Sequence, residues 1–422
     1  MHRFVAALLA VASCATIAQA QTAAPPSNTS PPYTLERALI AAGASSPSLE
    51  AADAGVRAAN AARTVAGLRP NPEVQVQVEN VGGSGLYRGT QSAETTIGLA
   101  LPIELGGKRS ARIAVADSRG IRARLEAAIA LADLRERVTQ AYIGAASAER
   151  RVEIARQLAD FADEGFRAAS ARVTAGAASP IEQQRADVQR VNANVALDRA
   201  RREAAVAREN LGRLIGEPVA GPLDAAWFDR VGEYGPTRPA SADGTLILAA
   251  AEADVTTARA QVRLARSQRI PDVTLSAGAR RLSATNDTAV VFGISVPLPL
   301  FNNGSAAVSQ AEAERRQLGA RQRVTVLDTE QAIASAQAEL SNAAASARSA
   351  GGPALAAATE AARIARIGYA QGKFSQLDLL DAERTLADTK AAAIDALVAY
   401  HATEARLARL TTPAPDTAGT AP

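Results

Sequence analysis

Side chains able to do chemistry are scarce in this chain, and those present are spaced for electrostatics, not catalysis. Asp378 and Asp381 stand three residues apart in Ser375-Gln376-Leu377-Asp378-Leu379-Leu380-Asp381. On a helix that spacing puts both carboxylates on one face, where they draw cations and repel one another. The plain alternative is a solvated face, with Asp378 as partner to a cap at Ser375. Glu149 and Glu153 read simply as solvated helix faces. Histidine occurs only at His2 and His401, cysteine only at Cys14, and methionine only at Met1. A lone helical histidine is more often a packing or surface residue than a ligand. A soft-metal relay needs thiols or thioethers that the chain lacks. There is no phosphate-cradling glycine loop, nucleophile elbow, cysteine pair or HExxH. The expectation is therefore no catalytic residue, no metal ligand set and no cofactor.

Elements must hold these few groups in place, and composition shows what kind. Alanine dominates most windows of the 422 residues and aromatics make up only 3%, so long helices packed close along small side chains are expected. Lys+Arg at 46 against Asp+Glu at 43 leaves +3. The charges are mixed along the chain with no basic stripe, which argues against nucleic acid as a partner. Residues 1–20 read as an export leader: His2 and Arg3, an apolar run from Phe4 to Ile17, then Ala18-Gln19-Ala20 as a small-x-small cleavage site. Pro25, Pro26, Pro31 and Pro32 follow and oppose the alternative of a buried first helix. Val11-Ala12-Ser13-Cys14 also resembles a lipoprotein processing site, which makes lipidation of Cys14 the lesser alternative. No other segment has the roughly 18 to 20 apolar residues of a membrane helix.

The chain is built twice. Thr96-Ile97-Gly98-Leu99-Ala100-Leu101-Pro102-Ile103 recurs as Val291-Phe292-Gly293-Ile294-Ser295-Val296-Pro297-Leu298. Pro72-Glu73-Val74 recurs as Pro271-Asp272-Val273, and the stretch from Ala175 to Glu182 recurs from Gln371 to Asp378. All three keep their order at nearly the same offset. The expected organisation is a disordered tail at 21–33, a first repeat at 34–215, a linker with some local packing at 216–244 holding Trp227, a second repeat at 245–411 and a disordered tail at 412–422.

Each repeat offers two strands of about nine residues with period-two alternation. Val74, Val76 and Val78 mark the first, and Ile97, Leu99 and Leu101 the second. Val273, Leu275 and Ala277 mark the third, and Val290, Phe292, Ile294 and Val296 the fourth. The stretches Gly82 to Ala93 and Arg281 to Thr288 read as hairpin loops. One apolar and one polar face suits a barrel wall with lipid outside and water inside, although a soluble hairpin packed on a helix has the same signature. Four strands cannot close a transmembrane barrel, whose smallest members have eight. An open sheet in lipid leaves backbone groups unpaired. Strands that do span a membrane must therefore be shared among several chains.

The rest reads as helix. Leu134, Val138, Ala141, Ala145, Ala148, Val152, Ala155, Ala159, Ala162, Phe166, Ala169 and Val173 alternate spacings of three and four, the seam of a left-handed coiled coil. A helix from Lys108 to Val173 would reach about 100 Å. That length suits a tunnel across the periplasm or a coiled-coil scaffold. At both repeated tips a glycine, Gly176 or Gly372, can reverse the chain. Ser179 and Ser375 can then cap the returning helix, with Glu182 and Asp378 as capping-box partners.

From about Thr34 to Leu410 these residues resemble the TolC-type outer-membrane efflux family. Within it the likeness is to the CzcC-like heavy-metal branch of cobalt–zinc–cadmium resistance. That likeness lies in Leu68-Arg69-Pro70-Asn71-Pro72-Glu73, Glu104-Leu105-Gly106-Gly107-Lys108-Arg109 and Pro297-Leu298-Pro299-Leu300-Phe301-Asn302. After Phe301 the branch's asparagine- and glycine-containing stretch is compressed to Asn302-Asn303-Gly304. The resemblance implies a mainly α fold: antiparallel coiled-coil helices forming a periplasmic α-barrel, with four strands per subunit in a shared twelve-stranded β-barrel in outer-membrane lipid. It implies a homotrimer acting as a passive conduit for divalent heavy metals or, in other branches, for drugs. Its partners would be a periplasmic adaptor of the membrane-fusion type and an inner-membrane RND-type pump. Gly176, Ser179, Gly372 and Ser375 would lie at adaptor-docking tips. Tyr369, Asp378 and Asp381 would line a periplasmic gate, and Phe374 stands where better-known members carry a basic residue, which weakens any salt-bridge latch there.

Overall fold

A computed structural model describes residues 32–232 and 241–415 of the protein. The export leader, Cys14, His2 and nearly all of the N-terminal tail lie outside the described residues. So do 233–240 of the linker and 416–422.

Each repeat runs helix, hairpin, long helix, returning helix. In the first half α1 (Leu35–Ser45) and α2 (Pro47–Ala66) lead into β1 (Glu73–Glu79) and β2 (Glu94–Ile103). There follow α3 (Lys108–Thr174) and α4 (Pro180–Ile215). The short α5 (Ala225–Phe228) connects to α6 (Leu246–Ser267), β3 (Val273–Leu282), β4 (Asp287–Ser295) and α7 (Ser305–Ser349). A π-helical turn at Ala350–Ala354 passes into α8 (Leu355–Ala370), and α9 (Gln376–Leu410) returns. No helix among the described residues is long and apolar enough to cross a membrane.

The strands form one antiparallel sheet in the order β1-β2-β3-β4. Register joins Val74, Leu99, Ala277 and Phe292 in one row and Gln75, Gly98, Gly278 and Val291 in the next. One face therefore collects Val74, Val76, Val78, Ile97, Leu99, Leu101, Leu275, Val290, Phe292 and Ile294, all exposed. The other carries Glu73, Gln75, Gln77, Thr96, Thr274 and Ser276. On that polar face β2 and β3 approach closely: a Cβ at Gly278 would lie 2.6 Å from the carbonyl oxygen of Ile97 and 2.8 Å from the Cα of Gly98. Glycines placed this way let a sheet coil toward its polar side. The second hairpin loop is shorter than expected. Arg281 pairs with Thr288 and Leu282 with Asp287, and Asn286 at φ 57° takes the left-handed position of a tight turn.

The 67-residue α3 is the spine. Every residue of its predicted seam is buried or half-buried, from Leu134 and Val138 to Ala169 and Val173, because alanine lets the partner helix approach to backbone distance. The core gathers where the halves meet, around Tyr33, Tyr142, Ile143, Leu211, Ile215 and Phe228.

Several expectations need correction. Tyr33 belongs to the core and not to a disordered tail: it is fully buried, bridges to Leu223 and accepts a 2.7 Å hydrogen bond from Tyr142 Oη. Burial is the main cause that pushes both phenols up to about 12. The start of the C-terminal tail is likewise ordered, as Leu246 N donates to Thr412 O at 3.0 Å and Ala414 N to Gly244 O at 2.8 Å. The linker, read as a connector with some local packing, does pack. Trp227 stacks on His401 at 4.4 Å and meets Tyr142 edge-on, and His401, buried, bonds the carbonyl of Phe228 at 2.9 Å. Glu149 is no solvated carboxylate but the partner of Arg208. The helix of the second half has a break that the sequence reading did not address: Gly352 leaves helical geometry at φ −101°, ψ −105°, beside Pro353.

Candidate functional site

At the far ends of α3–α4 and α8–α9 the two tips turn by the same chemistry. Gly176 and Gly372 both sit at φ 69°, where a side chain is strained. In the first, Ala177 N donates to Arg172 O at 2.8 Å and Gly176 N to Val173 O at 3.0 Å. In the second, Lys373 N donates to Gly368 O at 2.8 Å and Gly372 N to Tyr369 O at 3.0 Å. These paired bonds close the last carbonyls of each helix in the Schellman manner.

The caps differ. Ser375 Oγ accepts from Asp378 N at 3.3 Å, while Ser375 N donates to Asp378 Oδ2 at 2.9 Å, a complete capping box. Ser179 makes no side-chain cap bond, contrary to expectation. The Glu182 amide donates to the Ser179 carbonyl at 2.9 Å instead, and its carboxylate lies 3.9 Å from Arg172.

The two predicted aspartates share a tip but not a state. The Ser375 hydroxyl and amide hold the Asp378 carboxyl below the usual aspartate range. Asp381, one turn on, is exposed and has no bonding partner among the described residues. Tyr369 ties the tips together, its hydroxyl accepting from Arg172 Nη1 at 3.0 Å with the guanidinium 5.8 Å over its ring. Tyr369, Asp378 and Asp381 thus lie on one hairpin, and Arg172 links it to Gly176 and Ser179 on the other.

Three contacts near the tips escaped the sequence reading. Arg172 carried no spacing signal, because its partner comes from the other repeat. Arg366 makes a two-pronged pair with buried Glu383 across α8 and α9. Phe374 lies against Gly368, where any Cβ would strike its ring; a glycine six residues before an aromatic at a helix end was the available hint.

At the other end, the segments singled out as branch-like build the junction between sheet and helices. Arg112 pairs with Glu104 and donates to Leu68 O at 3.1 Å, which draws the Glu104 carboxyl below its ordinary range. Lys108 meets Asp272 at 2.7 Å, and Leu105 N donates to the same carboxylate at 3.0 Å. Among the described residues no cluster of His, Cys, Asp or Glu is placed to hold a metal ion.

Comparison with known proteins gives a consistent result. The family model described as outer membrane efflux protein matches residues 39–217 and 245–412. The cobalt-zinc-cadmium resistance protein CzcC of Cupriavidus metallidurans is 34% identical, with 84% of each chain covered. The nickel and cobalt resistance protein CnrC of the same organism is 30% identical over 68% of each chain. In fold, the chain is similar to the open-state crystal structure of the Neisseria gonorrhoeae MtrE outer membrane channel. The TM-score there is 0.74 at 20% identity, covering 89% of this chain and 88% of that one.

Proposed function

The chain belongs to the outer membrane efflux protein family, and we propose that it is the exit duct of a tripartite pump for divalent heavy-metal cations. The observation that carries this reading is the sheet. Its four strands turn an exposed apolar face to one side and a polar, glycine-bearing face to the other, and β1 and β4 each have one paired side. Such a sheet is stable in lipid only when its open edges are paired. Three copies joined edge to edge give a twelve-stranded barrel, within the range of closed transmembrane barrels. The helices then continue the wall into the periplasm, residues 1–20 direct export, and the two repeats supply equivalent halves of each subunit.

On this reading the tips at Gly176, Ser179, Gly372 and Ser375 receive a periplasmic adaptor, which couples the duct to an inner-membrane RND-type pump. Tyr369, Asp378 and Asp381 line the periplasmic aperture. The pump supplies the energy and the duct conducts passively. Heavy-metal cargo is supported by the likeness to two metal-resistance proteins.

The test is growth of a deletion strain across zinc, cobalt, cadmium and nickel salts, alongside dyes and antibiotics. Selective loss of tolerance to the divalent metals, restored by the intact gene, is expected. Sensitivity to the organic compounds alone would contradict the metal assignment.

A further inference from the structure

The polar face of the sheet holds one cation among carboxylates. Its side chains include Glu73 and Glu79 of β1, Glu94 of β2 and Asp287 of β4, against Arg280 of β3. Arg281, the next residue, points to the opposite face and bonds Asn286. Arg280 reaches diagonally over two neighbouring strands. Its Nη1 meets Glu94 at 2.8 Å, its Nη2 meets Glu79 at 3.2 Å, and its Nε donates to Thr96 Oγ1 at 3.0 Å. The clasp is braced on both sides. Gln77 Nε2 donates to Glu79 at 3.0 Å and Asn80 Nδ2 to Glu94 at 3.3 Å, and Asn80 takes φ 56° to turn the chain there. One guanidinium between two carboxylates leaves one negative charge, partly shielded from water and fixed in position.

Topology decides where that charge sits. β1 leads away from α2 and β2 returns to α3, so Glu79 and Glu94 lie at the end of the sheet farthest from the helices. We infer that the Glu79–Arg280–Glu94 clasp sets the cation selectivity of the outer mouth, a role resting on the proposal that three such sheets close around a water-filled lumen. Each subunit adds one clasp to the rim, giving an acidic ring that draws departing cations outward and repels anions. Arg280 limits the strength of the ring. Without it both carboxylates face the lumen unneutralised, and cations dwell at the exit instead of leaving.

The test uses the full protein in planar bilayers at low salt, where fixed charges act over a longer range. The probe is hexamminecobalt(III), added separately to the loop side and the helix side. Arg280→Gln should lower the half-blocking concentration from the loop side by at least about threefold, and the Glu79→Gln, Glu94→Gln pair should raise it by a similar factor. Arg280→Lys should stay near the parent value. Block from the helix side should not change in any variant, which separates the clasp from the aspartates at the tips. Conducting variants whose loop-side block matches the parent would overturn the clasp and leave the channel standing. A parent chain with no conductance would overturn the channel reading and the clasp together.

Discussion

Asp378 and Asp381 are alike in the sequence and unlike in the fold. Asp378 gives its carboxylate to Ser375 as the second half of a capping box; Asp381 gives its own to nothing among the described residues. If the aperture reading holds, Asp381→Asn weakens cation block from the helix side. Asp378→Asn acts instead on the helix end, shown as faster hydrogen exchange in the first turn of α9. Acid gives the matching signature. The Asp378 carboxyl titrates below its ordinary value in the folded tip, so the folded state binds that proton less readily than the unfolded. The cap's contribution is therefore full above the ordinary aspartate range and is lost as pH falls through the depressed value. Protection in that turn, taken relative to the intrinsic exchange rate at each pH, should fall on acidification in the parent chain and stay low throughout in Asp378→Asn. Equal effects of both substitutions on block would contradict the division of roles.

At the scale of elements, the sheet makes the sharper demand. A side chain at Gly278 meets backbone of β2 and not a flexible neighbour, so Gly278→Val forces the strands apart, an overpacking cost of about 1–3 kcal/mol per subunit. For the trimer proposed above, the expected result is a large loss of assembly on unheated gels. Gly55→Ala, in the exposed part of α2 with nothing within 4 Å, should leave assembly intact and add about 0.5–1 kcal/mol. Strands, spine and tips were legible in the sequence because each rests on a local rule: period two for the strands, spacings of three and four for α3, and glycine followed by serine at the tips. What was not legible depends on distant partners. The tip at Ser179, which lacks its cap bond, is instead held through Arg172, whose partner Tyr369 comes from the other repeat. Tyr33 is in the core because Tyr142 and Leu223, far along the chain, receive it. The break at Gly352–Pro353 carries ordinary helix-breaking residues, but the alanine pattern around it is uninterrupted and hides them.

The whole molecule joins two different ends by one long spine. The sheet end turns apolar side chains to one side and keeps its carboxylates on the opposite face. The tips carry polar turns and, at Asp381, a carboxylate with no partner among the described residues. Between them the halves are packed together through Trp227, His401 and the tyrosines, and the tips hold to each other through Arg172 and Tyr369. The exit-duct reading rests on one requirement, that the apolar face of the sheet lies in lipid. The direct measurement is alkaline extraction of isolated outer membranes carrying the full-length protein. The chain should remain in the membrane pellet with the integral barrel proteins. Release into the supernatant with peripheral proteins would contradict the account and leave a periplasmic coiled-coil scaffold in its place.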